Sequence, residues 1–342
     1  MKIVMICRHA CIRVQKMAIP LIDKGYEVHC IANRIPAYAD RYRSLMIFQT
    51  QDQLFKAIKL HENTDVFHCH NEPSWFVTAV KNIRPRAKTV LDAHDSMLIR
   101  VAPEDETQDR ISIDERNNFQ LADGMVFASQ AMADICRKEY GLDQPHAVVP
   151  SYVPEEFYRL DSWKWIGGIV YEGRVDFPDE IKEGKELPFF SYAEYTGLAK
   201  ALHEKTIPFY LYTPRNKDVQ ETYGDTAIWK GSYEYGKLIR QIGRHQFGLV
   251  GNLDEHLAWK HAMPNKLFEY LAAGLPVIAI NADSAGAFIE EHGFGMNVKT
   301  VDEIVDRWTE HRKCRANVAK HRLDWSMERH IDKVEKVYKE LV

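Results

Sequence analysis

The sequence has little with which to staple or anchor itself. Its six cysteines, Cys7, Cys11, Cys30, Cys69, Cys136 and Cys314, are scattered, with no Cys-x-x-Cys pair. That spacing excludes a zinc knuckle and a disulfide frame, and it fits reduced thiols in a cytoplasmic protein. No segment approaches about 18 uninterrupted apolar residues, and the opening "MKIVMICRHACIRVQ" returns to charge too soon for a signal peptide. A soluble chain is expected, with any membrane contact peripheral. Excess positive charge is missing too: 45 Lys and Arg stand against 49 Asp and Glu, and residues 1–150 hold 19 of each sign. That balance excludes the strongly basic field of a nucleic-acid binder and leaves at most a local patch. Nor does a glycine-rich dinucleotide turn follow the first apolar run, which continues "CRHACIRVQKMAIPLIDKG".

What is present is ordinary globular composition in a chain of 342 residues, too long for one typical domain. Short β-branched runs ("KIVMIC", "EVHCIA", "DVFHCH", "TVLDAH", "GMVFAS", "HAVVP") alternate with helix-like patterns. That alternation predicts a parallel sheet wrapped by helices. A second series runs from "GGIVYEG" through "PFYLYT", "TAIWKG", "FGLVGN" and "PVIAIN" to "GMNV". Two α/β units are therefore expected, joined around "PSYVPEEFYRLDSWKW", where prolines and lost periodicity rule against a continuous helix. The closing "MERHIDKVEKVYKELV" reads as one amphipathic helix.

The most informative stretch is "HAMPNKLFEYLAAGLPVIAIN", His261 to Asn281. Pro264 and Asn265 suit a helix start with Asn265 as cap, "KLFEYLAA" supplies helix formers, and Gly274 and Pro276 end the helix before a buried strand. A helix N-terminus carries unpaired N–H groups and about half a positive charge, so it takes phosphate readily. Lys266 in the first turn adds a cation, and Glu269 one turn on suits a vicinal diol such as a ribose. The plainer alternative is a surface helix with Glu269 merely solvated.

With "GGIVYEGR" before it and "FIEEHGFGMNV" after it, this stretch resembles the GT-B glycosyltransferases of the large retaining group 1 superfamily, which use nucleotide-sugar donors. "DVFHCHNEP", "VLDAHDS", "ADGMVFASQAM", "VVPSYVP" and "DWSMERHIDKVEKVY" resemble that family's markers in order, so the likeness spans most of the chain. It implies an α/β fold of two Rossmann-like domains facing a cleft. The expected domains are residues 1–158 on the acceptor side, residues 159–323 holding the nucleotide sugar, and residues 324–342 as a helix crossing back to the first domain. The resemblance implies a donor of UDP or GDP type, no cofactor and no metal. The acceptor would be a glycan, a lipid-linked sugar or another hydroxyl, modified nucleic acid included.

Residue by residue, the resemblance puts Arg174 and a nearby lysine on the donor diphosphate, Lys182 being preferred to Lys185. Asn265, Lys266, Leu267 and Glu269 would complete the donor site. His261 stands where such enzymes carry the first of two glutamates eight positions apart, and a histidine there suits a hydrogen bond to a sugar hydroxyl. In the first half, "HCHNEP" and "LDAHDS" end two strands with His68, His70, Asn71, Glu72, Asp92, His94 and Asp95. Carboxyl ends of parallel strands bind ligands. By resemblance His94 touches the reacting sugar, and His70, Glu72 or Asp95 binds acceptor hydroxyls; a purely structural network explains the same residues. A metal held by His68, His70, Asp92 and His94 ranks lower, because Arg, Lys and a helix end replace the metal in GT-B enzymes. Arg8, His9, Arg13 and Lys16 read either as the site of an anionic acceptor or as the wet face of the first helix. The competing functions are a nucleotide-sugar epimerase of the same fold and a degenerate nucleotide-sugar-binding protein.

Overall fold

The structure is a computed structural model. It describes residues 1–8, 11–71, 73–100, 107–158, 166–178, 192–214 and 216–342, with side chains of 107–113 and 216 left aside. The chain divides into two compact units, one of Met1–Pro154 with Met327–Val342, the other of Glu155–Ser326. Among the described residues no helix is long and apolar enough to cross a membrane.

The first unit is built on β1 (Lys2–Cys7), β2 (Glu27–Ala32), β3 (Ser44–Ile47), β4 (Val66–His70), β5 (Lys88–Ala93), β6 (Gly124–Phe127) and β7 (His146–Val148). They form one parallel sheet in the order β3-β2-β1-β4-β5-β6-β7. Apolar residues fill both faces of its central strands, which is why these runs lack strict alternation. Two of the helices between strands begin at polar caps. Thr50 and Gln53 make a reciprocal capping box, and Ser129 accepts from Met132 N–H. The expected single closing helix is broken: a 3-10 turn spans Met327–Arg329, and the helix proper is Ile331–Leu341. Its Val337 and Tyr338 are buried in this unit, where the Tyr338 hydroxyl meets His68 Nδ1 at 2.7 Å.

The second unit holds β8 (Ile169–Glu172), β9 (Phe209–Tyr212), β10 (Ile228–Trp229), β11 (Phe247–Gly251), β12 (Val277–Ile280) and β13 (Gly295–Val298). Its sheet is also parallel, in the order β10-β9-β8-β11-β12-β13. Each sheet changes direction of winding beside its first strand, at β1 and β4 and at β8 and β11, and that is where open α/β sheets hold ligands.

Three histidines in the two units are buried with no charge requirement of their own: His61, His245 and His311. Burial pulls each from the ordinary 6.5 to about 4. The folded chain therefore holds them neutral while the unfolded chain protonates them near pH 6.5. Stability from this source is complete above that pH and is lost as pH falls toward 4. The melting temperature should be level between pH 7 and 8 and decline steadily from pH 6.5 to 4. A melting temperature unchanged between pH 7 and 5 would contradict the burial of these rings.

Candidate functional site

In the second unit the site grows from the end of β8. Gly173 follows Glu172 with φ +113, a conformation other side chains rarely adopt, and a Cβ added there would lie 4.0 Å from Lys266 Nζ. The turn places Arg174 beside Asp176: Nε donates to Oδ1 at 2.6 Å, while Oδ2 accepts from Ala193 N–H at 2.9 Å. The carboxylate is buried while the Arg174 side chain is 58% exposed, so the guanidinium is anchored through Nε at the surface of the unit. Tyr270 fixes this turn to the next element, its hydroxyl accepting from Glu172 N–H at 3.3 Å.

That next element is the helix Asn265–Ala272. Its cap position falls to Pro264, and no side chain caps it; Asn265 is the first helical residue instead. Proline at φ −70 is already shaped for the entry. The expected capping role of Asn265 is thus corrected. Leu267 N–H turns onto Pro264 O at 3.1 Å and its side chain is fully buried, so Leu267 builds the turn rather than offering a group outward.

Lys266 is the feature that sets this helix end apart. Its ammonium lies 5.0 Å from the Tyr171 ring centroid and 5.4 Å from that of Trp259. Among the described residues it makes no ion pair and no hydrogen bond. Burial opposes its charge, but Tyr171, Glu172, Tyr192 and Glu269 outweigh that and lift it above the ordinary lysine range. A permanent cation held by rings alone, at a helix N-terminus, is a ready anion site. Glu269 lies one turn on at only 3% exposure. Burial, then Glu269 and Glu172, push the neighbouring Tyr235 phenol well above its usual range.

A pocket of about 370 Å³ opens beside these groups, lined by Glu172, Gly173, Arg174, Asp176, Tyr212, Thr213 and Tyr233 among others. Tyr212, Thr213 and Tyr233 escaped sequence reasoning, since they stand at the end of β9, just after it and beyond β10, and form no motif. His261 ends the helix Leu257–His261 and is half-buried; burial, then Lys260, lowers its pKa. Lys182 and Lys185 lie outside the described residues, as do Glu72 and His9.

In the first unit the strand ends hold a buried charge cluster centred on Asp92. Arg13 Nε and Nη2 clamp its carboxylate at 2.6–3.1 Å, and Nη2 also donates to Val149 O at 2.9 Å. Oδ2 further takes His70 Nδ1 at 3.0 Å and His94 Nδ1 at 3.1 Å. Burial would raise this carboxyl, but Arg13 and then the two histidines hold it well below the usual carboxylate range. Arg13 and Lys16 are therefore neither a wet face nor a site for an anionic acceptor. Both are buried, and Lys16 donates to Ser151 O at 3.2 Å. Of the expected basic loop, Arg8 stays exposed.

His70 is 1% exposed and stacks on His68 at 4.3 Å between centroids, so it has no surface for acceptor hydroxyls. His68, His70 and Asp92 are close enough to share a metal. A cation placed there would face the Arg13 guanidinium on the same carboxylate. His94, at 17% side-chain exposure, is the ring of this cluster that meets the surface. Asn71 Oδ1 accepts its backbone N–H at 3.0 Å, and Asn71 Nδ2 donates to Asp95 O. Asp95 pairs with Arg100 at 3.3 Å.

Comparison with known proteins agrees with this geometry. Residues 13–157 match the model of Glycosyltransferase Family 4, and residues 189–324 that of the Glucosyltransferase 3-like C-terminal domain. A comparison with curated proteins gives no significant match. Among solved structures, sucrose-phosphate synthase from Thermosynechococcus elongatus superposes with a TM-score of 0.73 at 15% identity, over 99% of this chain and 98% of that one. Anabaena HepE in complex with UDP and glucose gives 0.71 at 13%, over 99% and 100%. WaaG, a glycosyltransferase involved in lipopolysaccharide biosynthesis, gives 0.63 at 11%, over 98% and 99%. Two Rossmann-like units with an anion-ready helix end in the second define a glycosyltransferase of the GT-B fold. Both matched family models are of glycosyltransferases, and between them they take in residues 13–157 and 189–324.

Proposed function

We propose that the protein transfers a sugar from a nucleoside diphosphate carrier to an acceptor hydroxyl, with retention and without a metal. The observation that carries this reading is Lys266, a caged ammonium without an anionic partner among the described residues. A diphosphate would take its charge, the N–H groups at the start of the helix Asn265–Ala272, and the charge of the surface-exposed Arg174. Three cationic contributions to the leaving group do the work a divalent ion does elsewhere. The nucleoside then belongs in the pocket of Tyr212, Thr213 and Tyr233, with Glu269 as our choice for the ribose. The complex of HepE with UDP and glucose supports a UDP-type donor.

His94 is our candidate for the reacting sugar, its Nδ1 held by Asp92 so that Nε2 is left to meet a hydroxyl. No carboxylate of the described site is placed as an obvious nucleophile, which favours a same-face route in which the departing phosphate helps deprotonate the acceptor. Calorimetry with UDP and GDP, against uridine and guanosine, tests the donor site directly. Arg174→Ala should weaken the preferred diphosphate by about 1 to 3 kcal/mol, the range for charge-assisted bonds. The nucleoside without phosphate should bind the variant as before. If neither diphosphate binds the parent protein at millimolar concentration, the proposal fails.

A further inference from the structure

A second pocket lies in the first unit, at the carboxyl ends of β1 to β4. Its volume is about 270 Å³, and Arg8, Asn33, Phe48, Gln49, Trp75 and Phe76 line it together with Pro73. One wall is aromatic: Trp75 and Phe76 are tilted at 5.0 Å between centroids, and Phe76 meets Phe48 edge-on at 6.1 Å. Trp75 leaves 36% of its surface exposed.

Three polar groups of the lining lack partners among the described residues. Asn33 Oδ1 is buried without a hydrogen bond. Among the described residues, neither the Arg8 guanidinium nor Trp75 Nε1 makes a hydrogen bond or ion pair. Gln49 is held in place, its Nε2 donating to Asn33 O at 2.9 Å and its N–H to Gln53 Oε1 at 2.6 Å. No acidic residue is among the described lining groups, so the charge of Arg8 is uncompensated there.

Each of these features asks for a particular piece of ligand. A buried carbonyl oxygen without a donor calls for an incoming hydroxyl. An exposed indole face packs against the C–H face of a pyranose, and its N–H reaches a ring or hydroxyl oxygen. An unpaired guanidinium takes a carboxylate or a phosphate, and does so in bidentate fashion. The volume lies just under the usual range of ligand sites, about 300 Å³ and upward, which suits one sugar unit rather than a chain.

We propose that this pocket is the acceptor subsite and that it takes a pyranose bearing an anionic substituent, either a uronate carboxylate or a sugar phosphate. The proposal rests on sugar transfer as the reaction, but its test needs no donor. Saturation-transfer NMR on the full chain would compare methyl glucuronoside, glucose 6-phosphate and methyl glucoside. The two anionic sugars should bind about tenfold tighter than the neutral one, and whichever of the two binds tighter identifies the substituent. Arg8→Gln should remove that difference, and Trp75→Ala should weaken all three sugars about tenfold. UDP affinity, measured on the same preparations, should not change in either variant and also reports that they are folded. Equal binding of anionic and neutral sugars by the parent would overturn the proposal, as would variants that bind like the parent. No sugar binding beside intact UDP binding overturns it while the donor site stands; absent UDP binding beside the expected sugar pattern overturns the donor site alone.

Discussion

Lys266→Met should lower sugar transfer about 10²–10³-fold, the loss found when one preorganised group facing developing charge is removed. Methionine keeps most of the stem between Tyr171 and Trp259, so packing is preserved while the charge goes. UDP or GDP affinity should fall by about 1.5 to 3 kcal/mol, since a hydrogen-bonded charge is lost from a largely desolvated place. The corresponding nucleoside, which has no phosphate, should bind as it does to the parent. The split matters because a merely structural lysine would disturb nucleoside and diphosphate alike. Calorimetry with the two ligands, alongside initial rates of nucleoside diphosphate release, measures both effects. Diphosphate binding equal to that of the parent in a folded Lys266→Met protein would remove the helix Asn265–Ala272 from the donor site.

Much of this was legible locally, and what was not came from distant partners. The helix start at Pro264 and its lysine are adjacent in sequence, so their meaning survives without tertiary knowledge. Arg13 and Lys16 show the opposite. On the helix Ile12–Asp23 they read as a solvated stripe, but Asp92 lies 79 residues on and the carbonyls of Val149 and Ser151 lie 136 and 135 residues on. Only the fold brings an acceptor to each charge, and only then is burial affordable. β3 was passed over because "SLMI" is a four-residue edge strand set among arginines and serine, too short to show alternation. The nucleoside pocket was missed for a related reason: Tyr212 and Thr213 sit at the end of β9 and Tyr233 beyond β10, and no spacing rule joins them.

The cluster around Asp92 leads to the other large effect. His94→Ala should reduce turnover about a hundredfold or more, the usual contribution of a positioned polar or acid–base group. Nucleotide affinity should change little, because the donor's diphosphate and nucleoside are assigned to the other unit. Asp92→Asn separates position from presence. The amide keeps the shape but no longer fixes Nδ1–H of His94, and it leaves Arg13 in a buried place without its counter-charge. That variant should lose turnover as well and melt at a lower temperature, whereas His94→Ala, at a partly exposed ring, should melt close to the parent. Full activity should persist in both the parent and the dialysed protein after exhaustive chelation. Rates and nucleotide binding, with and without chelator, decide among the readings. Unreduced turnover in His94→Ala makes the ring structural. Activity lost to chelator and restored by one divalent ion would move the chemistry to a metal held by His68, His70 and Asp92, and Arg13 would then have to release the carboxylate it now clamps.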